Sequence, residues 1–303
     1  MTRRETAGLR CVAGGVLFST LLLYCANPMF ACDTPVFEYA LYHWTADPYT
    51  VVYLNDRPEI GSDRKANGYL EKAGSLEDGF ANVRLIRLNP KQLPENTPPD
   101  LREAVERHAQ AVLPLHLVYS PRGDEIHAGR LSPEDARALV ESPLRKQIAD
   151  MIVEERKQGV LILLSGEDSD ATARARQAAL QAIETAKQFD VNPGFLEIDA
   201  GAPEETWLVK QLRALPLQDG AQSGPLLFGC FGRGHVEGPV PAVDGTADPA
   251  LMLLDFMSGP CTCIAKQAGM GLDLLIRRNW DASLPAGGPP EPRPMEPAGY
   301  IAF

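Results

Sequence analysis

None of the six cysteines in this chain is spaced as Cys-x-x-Cys: they stand at Cys11, Cys25, Cys32, Cys230, Cys261 and Cys263. That absence excludes the usual dithiol centre, in which a helix N-terminus lowers the pKa of the first of two closely spaced thiols. Positive charge is also scarce, with 29 Lys and Arg against 40 Asp and Glu and a net charge of −11. An acidic surface repels phosphate backbones and excludes nucleic acid as a partner. The long apolar stretch, Cys11 to Ala26, has only 16 residues, short of the roughly 20 that a spanning helix needs. Gly229, Gly232, Gly234 and Gly238 lack the dinucleotide-binding spacing. The acidic group Glu167, Asp168 and Asp170 lacks a twelve-residue calcium loop and reads instead as a helix start favoured by the helix dipole.

What is present begins with an export signal. Arg3, Arg4 and Arg10 precede the apolar stretch, and Phe30-Ala31 precedes Cys32. Residues 1–31 read as a signal peptide, with a lipoprotein signal (Cys32 the acylated residue) or an uncleaved anchor as alternatives. These residues carry three arginines and one glutamate, +2, so the remainder carries −11 − 2 = −13. An exported chain can keep disulfides. Cys32, Cys230, Cys261 and Cys263 allow three pairings, and spacing does not choose among them.

Beyond the signal, one order of elements occurs twice. Val51 to Leu54 is echoed by Leu161 to Leu164, an offset of 161 − 51 = 110; Arg84 to Leu88 by Phe195 to Asp199, 195 − 84 = 111; and the Pro114-led segment by the Pro225-led one, 225 − 114 = 111. Equal spacing at three landmarks indicates a duplicated domain. Apolar periodicity and cap residues predict strands at 49–54, 83–88, 115–119, 125–128, 160–164, 195–199 and from 225, with a return strand at 235–240. They predict helices from Thr34-Pro35, over 101–112, from Ser132-Pro133, from Ser142-Pro143, up to about 188, over 203–213 and over 248–257. From residue 282 onward Pro, Gly and Glu dominate and a disordered tail is expected.

Helix–strand–helix–strand, then a helix, a proline-led hairpin and a closing helix, is an order that resembles the thioredoxin fold. The resemblance spans residues 34–280 and rests on element order and on Pro114 and Pro225. It implies an α/β chain of two tandem thioredoxin-like domains, each a central mixed sheet flanked by helices: 34–142 and 143–281, followed by the tail 282–303. It also implies that Pro114 and Pro225 stand where the family has a cis-proline. The chain departs from the family where the reactive pair belongs. Asn55-Asp56-Arg57-Pro58 follows the first central strand and Ser165-Gly166-Glu167-Asp168 the second, and neither segment holds a thiol.

Thiol chemistry, if any, falls to Cys261-Thr262-Cys263. Redox exchange, soft-metal binding with Cys230 and His235, and a structural disulfide remain open for these residues. Placed across the first predicted hairpin, His116 and His127 read as half-buried or exposed hairpin histidines, with a weak divalent-metal site as the alternative, and neither has a neighbouring nucleophile. The expectation is therefore an exported, non-enzymatic binding or assembly protein of the cell envelope, with redox-inactive domains, no catalytic residue, no metal and no cofactor. Its expected partner is a protein, with membrane attachment through Cys32 or the N-terminal segment. The alternative is a thiol–disulfide protein or soft-metal carrier using Cys261 and Cys263.

Overall fold

A computed structural model describes residues 34–217, 224–260 and 270–284. The first sheet has the order β2-β1-β3-β4, built from β1 (Tyr49–Leu54), β2 (Val83–Leu88), β3 (Leu115–Tyr119) and β4 (Glu125–Gly129). β1 runs parallel to β2 and antiparallel to β3, and β3 pairs antiparallel with β4. The second sheet repeats this plan with β5 (Val160–Leu164), β6 (Gly194–Ile198), β7 (Leu226–Phe231) and β8 (His235–Pro241), and adds β9 (Leu272–Asp273) at its edge. Equivalent strands start at offsets of 160 − 49, 194 − 83 and 226 − 115, each 111. Each half thus has the thioredoxin-like order.

All six residues of β1 and all five of β5 are buried, as expected of central strands covered on both faces. In the first half, Tyr49, Val51 and Val118 pack with helices α2 (Gly61–Ala73) and α4 (Pro133–Val140). The alternate residues Val52, Leu54 and Leu117 pack with α3 (Pro99–Arg107). In the second half one face meets α5 (Pro143–Val153) and α7 (Thr206–Arg213). The other meets α6 (Ser169–Lys187) and α8 (Asp248–Ser258). Ser132 and Asp135 close a capping box on α4. At the start of α5, Glu205 accepts the Ser142 hydroxyl and the Leu144 N–H, a carboxylate placed where the helix dipole favours it.

Chain order and packing disagree at both ends. The helix Val36–His43 (α1), counted with residues 34–142 in the sequence reading, packs on the second sheet through Val36 and Ala40. The Val36 N–H donates to Gly259 O at 3.0 Å, and Arg233 Nε to Leu41 O at 2.9 Å. The apolar face of α8 is what Val36 and Ala40 cover, and periodicity along α1 does not reveal that destination. At the other end the fold continues past residue 282: Trp280–Ser283 forms a helical turn (α9), capped where Asn279 Oδ1 accepts the Ala282 N–H. Residues 285–303 lie outside the described residues. Among the described residues no helix is long and apolar enough to cross a membrane.

Residues 271–278 form a strap that joins the halves. Leu274 and Ile276 enter the core of the second half, while Leu275 between them enters that of the first. Asn82 bridges the joint. Its Oδ1 accepts the Ile276 N–H at 2.8 Å, and its Nδ2 donates to Leu274 O at 3.1 Å and to Asp47 O at 2.9 Å. Arg278 N–H donates to Phe80 O, and Arg277 Nε to Gly79 O. Asn82→Ala strands these backbone groups, and a loss of about 1–3 kcal/mol is expected, read as a lower denaturation midpoint in a urea titration.

Candidate functional site

The carboxyl ends of β1 and β5 are where this topology places chemistry. After β1, the register pairs Leu54 with Leu115 and so brings Pro114 beside Asn55. The loop is closed on itself. Asn55 Nδ2 donates to Arg57 O, and Asp56 is paired to Lys91 Nζ at 2.7 Å and to Arg57 Nε at 3.6 Å. The Lys91 hydrogen bond leads the effects that hold the Asp56 carboxyl below its usual range. After β5, Ser165 N–H donates to Ile198 O, and Ser165 Oγ accepts the Ala200 N–H. Gly166 N–H donates to Thr172 Oγ1. Asp168 caps α6, accepting the N–H groups of Asp170 and Ala171, and these bonds lower its pKa. Both loops are occupied by groups that serve helix starts and local ion pairs.

The prolines differ between the halves. The cis bonds among the described residues are Leu113–Pro114 and Gly238–Pro239, so of the two prolines that the thioredoxin resemblance places at a cis-proline, Pro114 follows a cis bond and Pro225 does not. The second hairpin is longer, and Pro225 is drawn into it: its carbonyl accepts the Ala242 N–H at 3.0 Å. Gly238 and Pro239 together stand opposite Phe228, where the β7–β8 register shifts. Two residues against one is a β-bulge, and the backbone of Gly238, at φ 114°, is one that glycine tolerates.

Cys230 is free and fully buried within the core of the second half. Burial pushes its thiol pKa well up, which disfavours the thiolate that both redox exchange and metal binding require. Its proposed alliance with His235 also fails on geometry. Cys230 pairs with Val236 and Phe231 with His235, so alternation along β7 and β8 sends Cys230 and His235 to opposite faces. Among the described residues no group of three His, Cys, Asp or Glu side chains is arranged to hold a metal. Cys32, Cys261 and Cys263 lie outside the described residues. Cys230 is expected to resist an aromatic disulfide reagent in the native protein and to react once denaturant is added, followed by peptide mass mapping.

His116 and His127 lie on one face of the first hairpin but serve separate neighbours. His116 is fully buried; its Nδ1 accepts the Leu131 N–H at 3.1 Å and its Nε2 lies 3.0 Å from Asn67 Oδ1. That pairing suits the neutral ring with its proton on Nε2, and burial lowers the His116 pKa from 6.5 to about 4. His127 packs against the Trp207 ring, and burial lowers its pKa as well. A depressed histidine pKa contributes stability that is present above the unfolded value and lost as pH falls. Stability is expected to fall as pH drops from 6.5 toward 4. His116→Gln is expected to flatten that limb, as read from chemical denaturation at a series of pH values.

One cluster was not anticipated. His235, Glu237 and Asp273 are 4%, 8% and 4% exposed, and His235 and Asp273 line a cleft of about 300 Å³ between the halves together with Asp47, Arg122 and Gly271. His235 Nδ1 lies 2.6 Å from Asp273 Oδ1, and Nε2 lies 3.2 Å from Glu237 Oε1. Burial opposes a charged imidazole here, but hydrogen bonds and charge from Asp273 and Glu237 outweigh it and raise the pKa. The i, i+2 spacing of His235 and Glu237 signals a shared strand face. Asp273, on a two-residue strand, carries no such signal.

No protein-family model and no curated protein matches the chain. Fourteen chains of solved structures do match. The first two thioredoxin domains of Saccharomyces cerevisiae Eps1p are similar at 11% identity and TM-score 0.24, over 67% of this chain and 91% of that one. The zinc-bound form of human ERp44 is similar at 11% identity and TM-score 0.25, over 74% and 58%. The first two thioredoxin domains of Naumovozyma dairenensis Eps1p are similar at 13% identity and TM-score 0.22, over 72% and 95%. The thioredoxin-like assignment stands on strand order and register within each half.

Proposed function

We propose that this chain is an exported, non-enzymatic binding or assembly protein of the cell envelope, in which both thioredoxin-like domains are redox-inactive. One observation carries the reading. The loops after β1 and β5, where the fold would place a reactive pair, contain no thiol, and their polar groups are engaged in internal hydrogen bonds and ion pairs. What remains is a two-domain body with clefts. One is the interdomain cleft. Another, of about 590 Å³, lies between α1 and the end of α5, with Phe37, Leu41 and Ile152 beside Arg156 and Lys157 in its lining. A concave surface mixing apolar and charged groups suits recognition of a partner protein. Export rests on residues 1–31, and membrane attachment, if through Cys32, on its place directly after Ala31.

The test uses the full-length chain expressed with its own N-terminus. The exported protein is expected to lack residues 1–31 by intact mass, and to show no oxidation or reduction of a dithiol peptide above the buffer rate. Turnover abolished by Cys261→Ser or Cys263→Ser would overturn the reading in favour of the thiol alternative. Recovery of the uncleaved chain inside the cell would overturn its export.

A further inference from the structure

His116 is held by a backbone amide in a way that fixes the place of its proton. The Leu131 N–H can only donate, so Nδ1, 3.1 Å away, carries the lone pair. The one ring proton is then on Nε2, 3.0 Å from Asn67 Oδ1 on α2. A second proton would put an N–H on Nδ1, facing the Leu131 N–H. Two donors head to head make no hydrogen bond, and the place is sealed: His116 is fully buried and Leu131 is 1% exposed. The charged ring and this contact therefore exclude each other.

The same contact is a fastening point. On the ladder His116 pairs with Gly129, the last residue of β4, and its ring reaches two residues further, to the Leu131 amide. That segment ties the hairpin to two helices. Arg130 grips Asp63 of α2 through Nε at 2.7 Å and Nη2 at 3.0 Å, and Nη2 also donates to Ser62 Oγ at 3.1 Å. Leu131 enters the first core with Ala66 and Leu70 of α2 and Leu139 of α4, and Ser132 caps α4. The charged and titratable groups around the ring come from α2, β1, β4 and the segment after β4. They are Asp63 and the nearby Glu59, Arg130, His127, and Tyr53, whose ring centroid is 4.7 Å from that of His116. Burial is the largest effect and disfavours the charged ring; Asp63 and Glu59 pull the other way, while His127 and Arg130 add to burial. The Asp63 carboxylate, the nearest candidate to balance an imidazolium, already holds both Arg130 donors.

We propose that His116 is an acid-operated release: protonation of Nδ1 breaks the Leu131 contact, frees the segment Arg130 to Ser132 and uncovers the apolar face that Leu131 closes over α2 and α4, while the second half stays folded. The device does not depend on export or on a partner. The sign follows from linkage. A histidine whose folded pKa lies below its ordinary 6.5, here at about 4, favours the closed form above 6.5 and loses that contribution as pH falls toward the folded value. The release is therefore shut at neutral pH and opens on the acid side.

Hydrogen exchange of the full-length chain between pH 6.5 and about 4, expressed as protection factors so that intrinsic rates cancel, tests this. Protection of the Leu131 amide is expected to fall by roughly tenfold for each pH unit, the slope of one proton taken up on opening, while the amides of β5 hold. His116→Asn sets an acceptor that does not titrate, Oδ1, where Nδ1 stood, and is expected to keep Leu131 protected over the same range. His127→Gln is expected to leave the slope at Leu131 in place. A wild-type Leu131 amide that stays protected overturns the release, as does an equal loss in wild type and His116→Asn. A slope that vanishes in His127→Gln assigns the proton to the other histidine and overturns it too. If the β5 amides lose protection with the same slope as Leu131, the acid effect is global unfolding and the local device is wrong. Should His116→Asn fail to fold, the wild type and His127→Gln decide the matter by the slope at Leu131 against that at β5.

Discussion

Strands β1 and β5 have no face toward water, and the rest of the molecule is arranged around that constraint. A strand buried on both sides must be covered by two layers of helices, and its backbone must be paired on both edges. In each half the parallel neighbour is supplied by a helix crossover and the antiparallel neighbour by the hairpin. Once these pairings are set, the loops at the carboxyl ends of β1 and β5 and the residue before β3 have their places. The molecule keeps this frame while filling both loops with caps and ion pairs in place of thiols.

The second constraint is the joint. Two domains of this kind can be linked loosely, but here the strap gives Leu275 to one core and Leu274 and Ile276 to the other. Alternation along an extended segment makes that possible, since successive side chains point to opposite sides. The polar groups follow the same logic. Asn82 satisfies strap backbone on one side of the joint, and Asp273 receives an amide of the first half on the other.

Much of this architecture was legible in the residues. The strand 49–54 was readable because six successive residues favour burial, and the start of α4 because Ser132, Pro133 and Asp135 are the cap, first-turn and box residues that a helix start calls for. The repeat was readable because duplication preserves spacing even where side chains have diverged. Boundaries were less faithful. The helix predicted over 101–112 ends at Arg107, and α2 carries little apolar periodicity to read because its buried positions include Asp63 and Asn67 beside the hydrophobics. The hairpin prolines look equivalent in sequence, yet in the second half Pro225 offers its carbonyl to the Ala242 N–H and the cis bond is Gly238–Pro239.

By itself, then, the amino-acid sequence determined the duplicated α/β plan, the acidic character and the lack of a dithiol at either loop, because periodicity, charge and residue identity are local properties. Only the tertiary structure decided which half α1 belongs to, that Cys230 and His235 face opposite ways, and that His235 meets Asp273 across 38 positions of chain. Those facts depend on which surfaces remain uncovered once the sheets have formed. A short edge strand such as β9 finds its partner through that leftover surface and carries no pattern of its own.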